Sequence, residues 1–307
     1  MFERYLAAGE TLLLDGGLAT EIEAQGISID SDLWSAELLR SNPGAIVDAH
    51  RAYLEAGAEC IITASYQASR KSFEPAGISK SEADELIGSS VALANRAVSD
   101  YLQEKPSAAK RPLIAASIGP YGAALHDGSE YTGIYDTDEA GLMDFHRDRL
   151  QLLDNSGADV LACETIPSIA EARALASLLR QVKTPAWVSF SCCDSTRISD
   201  GTPIREAASL FTSNKKVPAV GVNCTSPIHI SSLICELKSA VPEKAIVVYP
   251  NSGETYRSAD NSWHGTVTPL ECAQAALAWA HDGASVIGGC CRMGPAHINS
   301  MKKMLKQ

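Results

Sequence analysis

Short runs of apolar residues recur along the whole chain, and longer stretches with helical periodicity separate them. Apolar runs of this length, bounded by polar residues or glycine, are typical of buried strands. We predict eight strands, at residues 11–15, 59–64, 113–118, 158–163, 186–191, 218–223, 245–250 and 284–289. The intervening stretches, including 83–102 and 167–180, carry apolar positions spaced as in amphipathic helices. The chain is therefore predicted to alternate strands and helices.

The joints between helices and strands share a local pattern. Gly57, Gly157 and Gly283 each follow a helical stretch and precede an alanine and an apolar run. A glycine just past a helix end adopts the left-handed conformation that terminates the helix. Pro43 begins the helical stretch before Gly57, at a position where proline is favoured. These segments predict three helix-to-strand joints.

The alternation predicts a parallel sheet, because each helix must return the chain to the same end of the sheet. Eight such units predict a closed (β/α)8 barrel, a TIM barrel, as a single domain over residues 1–307. An open, doubly wound α/β sheet is the alternative, although no Gly-x-Gly-x-x-Gly turn follows the first run. No shift in composition and no Pro- or Ser-rich linker divides the chain.

Composition narrows the class of protein. The net charge of −11 argues against broad binding to nucleic acid or to anionic membrane surfaces. No apolar run approaches the ~20 residues that cross a bilayer, and the N-terminus lacks the apolar core of a signal peptide. Nine cysteines, an odd number, do not indicate a disulfide framework. We expect a cytoplasmic protein with reduced thiols.

Cysteines close two of the predicted strands. Cys224 ends one apolar run, and the adjacent Cys290 and Cys291 end another. In a barrel these strands flank a common neighbour, so three thiolates could converge on a zinc ion and leave one position open. Adjacent residues of a regular strand point to opposite faces, so the backbone must bend, and Gly288 and Gly289 are expected to supply that freedom.

Other interpretations of the cysteines stay open at this point. Cys192 and Cys193 also close a strand on the same face, and spacing alone does not exclude them as ligands. Burial as small apolar side chains is the simplest role for any cysteine, and we expect it for Cys60, Cys163, Cys235 and Cys272. The seven histidines follow no metal-ligand pattern such as His-Glu-x-x-His, which disfavours a histidine-based metallohydrolase.

An all-sulfur zinc site favours one kind of chemistry. Three thiolates on Zn²⁺ leave a net charge of minus one, which makes the metal a poor generator of hydroxide. Such a site is better suited to holding a substrate thiol as its thiolate, since metal coordination removes the proton. A cationic partner such as a sulfonium then becomes a suitable alkyl donor. The pattern predicts alkylation of sulfur.

Motifs at the strand ends resemble those of a known family. The motifs are Asp15–Gly17, Cys163–Thr165, Gly221–Cys224, Tyr249–Gly253 and Gly288–Cys291. In order and over essentially the whole chain, they resemble the homocysteine S-methyltransferase family. Asp32–Ala36, Thr63–Gln67 and Ser117–Gly122 are similar to the branch that uses S-methylmethionine, and often S-adenosylmethionine, as methyl donor. The chain is less similar to betaine-using or cobalamin-dependent members.

The resemblance implies a (β/α)8 barrel with zinc held by Cys224, Cys290 and Cys291. It further implies that the sulfur of homocysteine takes the open zinc position, so that no catalytic residue is needed beyond the zinc-bound substrate thiolate. By the same resemblance Asp15 and Glu164 would bind the amino group of homocysteine, while Gly16 and Thr63 would lie near its carboxylate. The chemistry is consistent, because an ammonium is bound by carboxylates and a carboxylate by N–H and hydroxyl donors.

The methyl donor needs a second pocket. A sulfonium methyl group is attracted to aromatic faces much as a quaternary ammonium is. The candidates are Trp34, Tyr66, Tyr121 and Tyr249, with Asn251 as a polar group that orients the donor. Three long segments, 19–41, 119–137 and 251–268, follow strands and are expected at the carboxyl-terminal face, where they could form a lid or this second pocket.

The leading prediction is an enzyme of methionine biosynthesis. It would transfer a methyl group from S-methylmethionine or S-adenosylmethionine to homocysteine, with Zn²⁺ as cofactor and without nucleic-acid or membrane partners. A second hypothesis keeps the zinc site but gives it another acceptor, such as selenohomocysteine or a foreign thiol. A third makes the cysteines a structural zinc or redox-sensing cluster, although structural zinc usually has four protein ligands and no fourth is evident.

Overall fold

The structure is a computed structural model and describes residues 2–29, 37–106, 110–253, 255–257, 262–264 and 267–306. Within them, eight parallel strands form one sheet in the order β1-β10-β7-β6-β5-β4-β3-β2. A short antiparallel hairpin, β8 and β9, lies outside this sheet. The strands are β1 Leu12–Leu13, β2 Cys60–Ile62, β3 Leu113–Ile118, β4 Val160–Ile166, β5 Ala186–Phe190, β6 Ala219–Asn223, β7 Ala245–Tyr249, β8 Thr255–Arg257, β9 Ser262–His264 and β10 Ala284–Ile287. Seven of the eight predicted runs contain one strand of the sheet, and the run 158–163 overlaps β4, which extends to Ile166.

The two ends of this strand order meet and close the barrel. Leu14 forms a parallel bridge with Cys60, and the Asp15 amide donates to the Cys60 carbonyl at 3.0 Å. On the same seam the Glu59 amide donates to the Leu13 carbonyl at 2.8 Å. The prediction of a (β/α)8 barrel is confirmed, and the open sheet is excluded.

Helices follow the strands around the outside of the barrel. They are α1 Phe2–Ala7, α2 Leu18–Ala24, α3 Leu38–Ser41, α4 Pro43–Ala56, α5 Arg70–Phe73, α6 Lys80–Glu104, α7 Glu139–Asp154, α8 Ile169–Leu178, α9 Ile204–Ser209, α10 Ile230–Ala240, α11 Pro269–Asp282 and α12 Pro295–Leu305. In the part of the chain described, none of these helices is long and apolar enough to cross a membrane.

The predicted joints are built as their chemistry requires. Asn42 caps α4 by accepting from the Ala45 amide, with Pro43 in the first turn, and Gly57 ends the helix at φ 110°. Gly283 ends α11 in the same way at φ 113°. Gly157 also has a left-handed φ of 85°, although α7 itself is capped by Asn155 two residues earlier. Only glycine takes these angles without steric cost.

Alternate strand residues face two separate cores. Outward residues such as Leu13 and Ile61 pack under the helices, and inward residues such as Leu12 and Cys60 fill the barrel. The period of two follows from the pleat of a strand. The first helix contributes Phe2 to the inner core, where its ring lies 5.7 Å from that of Trp187. One end of the barrel is therefore filled by apolar side chains, and polar groups collect at the other.

Candidate metal centre and substrate cleft

A cleft of about 810 Å³, counting the space at its open mouth, lies at the carboxyl ends of the barrel strands. Barrel enzymes build their active sites at this face. The lining comes from seven barrel strands and the segments that follow them: Gly16–Thr20, Ile62–Ala64, Tyr66–Gln67, Glu130–Tyr131, Glu164–Thr165, Asn223–Cys224, Tyr249 and Gly289–Cys291. Segments 19–41 and 119–137, both predicted to rise from this face, each contribute lining residues.

The three predicted metal ligands converge in this cleft. The Cys291 sulfur lies 3.6 Å from that of Cys224 and 3.9 Å from that of Cys290. The sulfurs of Cys224 and Cys290 are joined as a disulfide, with their Cα atoms 5.6 Å apart. Reduced thiols were expected, and that holds for the other seven cysteines but not for this pair, because the ends of β6 and β10 bring it within disulfide range.

The backbone turns sharply at Cys224 and at Arg292, the residue after Cys291, which has a left-handed φ of 67°. Cys224 has a left-handed φ of 46°, and its amide donates to the Tyr249 carbonyl at 3.2 Å. The prediction that Gly288 and Gly289 supply conformational freedom was wrong, because neither has a positive φ. They are needed for space instead. A β-carbon at Gly288 would lie 2.5 Å from that of Leu14, and one at Gly289 would lie 2.7 Å from that of Met293.

This donor set is able to hold a metal ion. Three sulfurs at about 2.3 Å from a tetrahedral ion lie about 3.8 Å apart, close to the two separations that Cys291 makes. Binding requires the disulfide to be reduced, since thiolates are the ligands. Burial raises the pKa of the Cys291 thiol to about 11, so the thiol keeps its proton at neutral pH unless a cation displaces it.

Cys192 and Cys193 lie elsewhere. The Cys192 amide donates to the Thr225 hydroxyl at 3.0 Å, and the Cys193 thiol contacts the carbonyl of Ile198 at 3.3 Å. Within the described ranges, only the group of Cys224, Cys290 and Cys291 brings three potential ligand atoms within 4.8 Å of one another.

Glu164 is a buried carboxyl on the cleft wall. It accepts hydrogen bonds from the hydroxyls of Ser117 and Tyr249, the latter at 3.0 Å. Burial raises its pKa to about 7, and the two hydrogen bonds oppose that rise. A cation placed beside it would restore the charged form.

Asp15 lies behind the lining, at the seam of the barrel. Its Oδ2 accepts from the Ile62 amide at 2.8 Å, while its buried Oδ1 has no hydrogen-bond partner among the described residues. Burial, and next the negative charge of Glu164, raise its pKa well above the ordinary value, against the opposing Ile62 hydrogen bond. One carboxyl of elevated pKa thus lines the cleft and a second lies behind its wall, and groups of perturbed pKa are common at functional sites.

Gly16 and Thr63, which the family resemblance places near the carboxylate of homocysteine, both line the cleft. The Thr63 hydroxyl accepts from the Ser117 amide at 3.0 Å and lies 2.8 Å from the Ser65 hydroxyl. A β-carbon at Gly16 would lie 2.0 Å from the Met293 carbonyl oxygen, so no side chain fits there.

The predicted donor-site residues divide into separate groups. Tyr66 and Tyr249 line the cleft, and Tyr249 is buried, with its hydroxyl on Glu164. Asn251 is not part of the lining; its side-chain oxygen accepts from the Gly253 amide at 3.0 Å. Tyr121 packs edge-to-face against Tyr135 and Phe145, away from the cleft. Trp34 lies outside the described residues.

Sequence reasoning missed residues that shape the cleft wall. The Asn223 side chain accepts from the Thr165 amide and donates to the Thr165 hydroxyl, both at 2.7 Å, which holds Thr165 at a left-handed φ of 61°. Glu130 and Tyr131 line the cleft from the segment after β3. The position of Asn223 directly before Cys224 was a usable signal, whereas Glu130 lies in an irregular segment that predicts no geometry.

A buried polar network supports the segment after β3. Glu171 accepts from the Tyr121 amide at 2.6 Å and from the Tyr135 hydroxyl at 3.0 Å, and lies 2.7 Å from His146. Burial lowers the pKa of His146, so its ring is neutral at physiological pH. Arg149, also buried, donates to the backbone carbonyls of Ala68 and Gly119, in the segments that follow β2 and β3. These contacts fix the path of the segment that carries Glu130.

Comparison with known proteins gives an independent result. The family model for homocysteine S-methyltransferase matches residues 12–305. Homocysteine S-methyltransferase YbgG of Bacillus subtilis (strain 168) is 46% identical over 293 residues, 94% of this chain and 93% of the relative. The selenocysteine Se-methyltransferase of Brassica oleracea var. italica is 42% identical over 319 residues, 99% of this chain and 92% of the relative.

A solved structure is similar over the whole fold. The homocysteine methyltransferase MmuM from Escherichia coli, in its metallated form, is similar with a TM-score of 0.86 at 42% identity, and the match covers 96% of each chain. The likeness therefore extends over nearly the whole of both chains.

Proposed function

The chain belongs to the homocysteine S-methyltransferase family, and on that basis we propose that it transfers a methyl group from a sulfonium donor to homocysteine. The product would be methionine, with S-methylmethionine or S-adenosylmethionine as donor. One observation carries the proposal: three cysteine sulfurs open into the same cleft as a carboxyl whose pKa is raised by burial. An amino acid that bears a thiol needs both features.

We propose Zn²⁺ as the metal, held by Cys224, Cys290 and Cys291. An all-sulfur tetrahedral set with no fourth protein ligand in the described part suits zinc better than harder cations. When bound, zinc would lower the pKa of the homocysteine thiol and so supply the nucleophile as a thiolate.

The carboxyls hold the amino acid part of homocysteine in this proposal. The ammonium would lie between Glu164 and the unpaired Oδ1 of Asp15, and its charge would compensate for the burial that raises both pKa values. The carboxylate of homocysteine would lie near Gly16 and the Thr63 hydroxyl. With its ammonium and carboxylate groups bound in this way, homocysteine would point its sulfur toward the three cysteines.

The donor would enter from the open side of the cleft. Tyr66 lines the cleft, and aromatic faces attract sulfonium methyl groups. Tyr249 would act chiefly through Glu164, because its hydroxyl is committed to that carboxyl. Donor-site roles for Tyr121, Asn251 and Trp34 stay predictions. The methyl group passes directly between two sulfurs, so the chain has to align them and does not need to supply an acid or a base.

The direct test is product formation by reduced, zinc-loaded protein. With homocysteine and S-methylmethionine or S-adenosylmethionine, we expect methionine, detected by mass spectrometry with a labelled methyl group. Absence of labelled methionine from both donors, with zinc content and fold confirmed, would reject the reaction.

Metal binding has its own test, in the variant Cys291→Ser. The substitution removes one of three ligands, so we expect zinc content after dialysis to fall from about one per chain to near zero, together with activity. Cys235→Ser is the matched control, since Cys235 is an exposed thiol on α10. Equal zinc content in the two variants would contradict the ligand set.

The acceptor deserves a comparison because one relative is a selenocysteine Se-methyltransferase. A selenol is more acidic than a thiol and would bind the same metal position. Parallel assays with homocysteine and selenocysteine, compared by kcat/KM, decide between the acceptors. A stoichiometric zinc site without turnover of either acceptor would instead favour the structural or redox-sensing cluster.

A further inference from the structure

Glu130 is a buried carboxyl in the cleft that the proposed reaction leaves without a role. It lies in the one-turn helix Ser129–Tyr131, in the segment after β3, and only 8% of its surface is exposed. Its Oε2 is buried and finds no hydrogen-bond partner in the described part of the chain. A buried carboxylate oxygen without a partner costs free energy, so the position calls for a ligand that supplies one.

The surrounding backbone holds Glu130 firmly in place. A β-carbon at Gly122 would lie 2.4 Å from the Glu130 amide nitrogen, so the two turns of this segment are in direct contact. The Glu130 carbonyl accepts from the Ser191 hydroxyl, at the end of β5. The backbone of Glu130 therefore has a defined position before any ligand arrives.

The segment that carries Glu130 packs directly against Tyr66, since a β-carbon at Gly119 would lie 2.7 Å from the Tyr66 ring. Glu130 and Tyr66 both line the cleft, and the charges of Glu130 and then Glu164, after burial and the charge of Tyr131, raise the pKa of the Tyr66 hydroxyl. Tyr66 is the aromatic residue that the proposed function assigns to the methyl donor. Asp15 and Glu164, by contrast, come from the ends of β1 and β4 and are assigned to homocysteine.

We propose that Glu130 binds the α-ammonium group of the methyl donor; this deepens the proposed function and rests on it. S-methylmethionine and S-adenosylmethionine share one arm, which carries the sulfonium, two methylene groups and the α-amino acid end. A buried carboxylate that recognises this end would serve both donors. It would also reject sulfonium compounds that lack an amino group.

The chemistry of transfer favours the ammonium over the sulfonium as the partner of Glu130. As the methyl group moves, the bond from donor sulfur to carbon breaks and its electron pair stays on that sulfur. A new bond forms from the homocysteine thiolate, so the sulfonium charge disappears while the ammonium charge persists. A carboxylate fixed beside the sulfonium would stabilise the reactants more than the transition state and slow the reaction.

The test compares Glu130→Gln with the control Glu139→Gln, at an exposed position in the first turn of α7. Binding to zinc-loaded, reduced protein is measured by calorimetry for S-methylmethionine and for dimethylsulfoniopropionate, which has a sulfonium and a carboxylate but no ammonium. Because a hydrogen bond to a charged group is involved, we expect Glu130→Gln to weaken S-methylmethionine binding about 10- to 100-fold. Binding of the second compound should change less than about threefold, and the control should match the wild type.

Kinetics separate this role from a merely structural one. Since the ammonium contact is the same in reactants and transition state, the donor KM should rise in Glu130→Gln while kcat stays within about threefold. The KM for homocysteine should not change. Equal loss of binding for the two sulfonium compounds would overturn the proposal by assigning Glu130 to the sulfonium, and unchanged donor binding would also overturn it. Lack of turnover in the wild type would instead contradict the proposed function.

Discussion

Glu164 illustrates how burial and contacts between strands change the properties of a carboxyl group. Its carboxyl is 6% exposed and borders a cleft that opens to solvent. The Cys163–Thr165 motif draws attention to the residue, but the motif contains no information about the two hydroxyls that contact it. Ser117 and Tyr249 come from other strands, and only the barrel brings them together.

The raised pKa of Glu164 predicts a pH-dependent stability difference between the wild type and Glu164→Gln. Below about pH 4.5 the carboxyl is protonated in both the folded and the unfolded chain, so its pKa shift does not change the free energy of unfolding. As the pH rises from there to about 7, the unfolded chain loses this proton first, so the wild type is destabilised by about 2 to 3 kcal/mol relative to the variant. The cost is constant at higher pH.

Urea unfolding of metal-free protein at pH 5 and pH 8 measures that difference. We expect the gap in unfolding free energy to move in favour of Glu164→Gln as pH rises. The exposed Glu139→Gln should show no such movement. Parallel pH dependence in all three proteins would show that Glu164 has an ordinary pKa.

Neighbouring strands approach closely where β6 meets β7. A β-carbon at Gly221 would lie 1.8 Å from the Val247 carbonyl oxygen, although Gly221 does not need an unusual φ. The glycine of the Gly221–Cys224 motif is therefore required by packing against the next strand. Because Gly221 lies three residues before Cys224, this close contact between β6 and β7 also fixes the position of Cys224 at the end of β6.

Gly221→Ala and Gly88→Ala should have opposite effects. The first places a methyl group against backbone that cannot move independently, and we expect a loss of about 3 kcal/mol or more in unfolding free energy. The second lies in α6, where the added methyl group meets Leu152 at an ordinary 3.6 Å, and alanine favours the helix by about 0.5 to 1 kcal/mol. Chemical unfolding measures both changes, and destabilisation of similar size in the two variants would contradict the close approach at Gly221.

Closure of the barrel requires the interior to be filled. The inner core includes Leu12, Leu14 and Val286 from the strands. Helix α1, which is not part of the sheet, adds Phe2 to it. Phe2 is fully buried against Trp187, and the Trp187 indole donates to the Tyr249 hydroxyl at 3.0 Å. Packing at one end of the barrel is thus connected through Tyr249 to Glu164 at the other.

Phe2→Ala tests this contribution of α1. Truncating a fully buried aromatic ring should cost about 3 to 5 kcal/mol of unfolding free energy, because the barrel interior cannot collapse into the space. Arg4→Ala on the exposed face of the same helix should stay within about 0.5 kcal/mol of the wild type. Urea unfolding monitored by tryptophan fluorescence gives both values, and an equal effect of the two substitutions would mean that α1 does not fill the barrel.

Much of the molecule is determined by the sequence alone. The eight apolar runs predict all eight barrel strands, since burial on both faces leaves a signal that is local in the chain. The left-handed glycines predict the joints, because a positive φ is a property of one residue. The motifs at the strand ends identify the cysteines and the Glu164 carboxyl that border the cleft, and Asp15 behind its wall.

Tertiary structure alone decides the rest. It determines that Gly288 and Gly289 provide space and not flexibility, that Tyr121 packs away from the cleft, and that Glu130 enters it. Each of these depends on contacts between segments far apart in sequence, and no local pattern encodes them. The elevated pKa of Glu164 is of the same kind, since burial and hydrogen bonding are properties of the closed barrel.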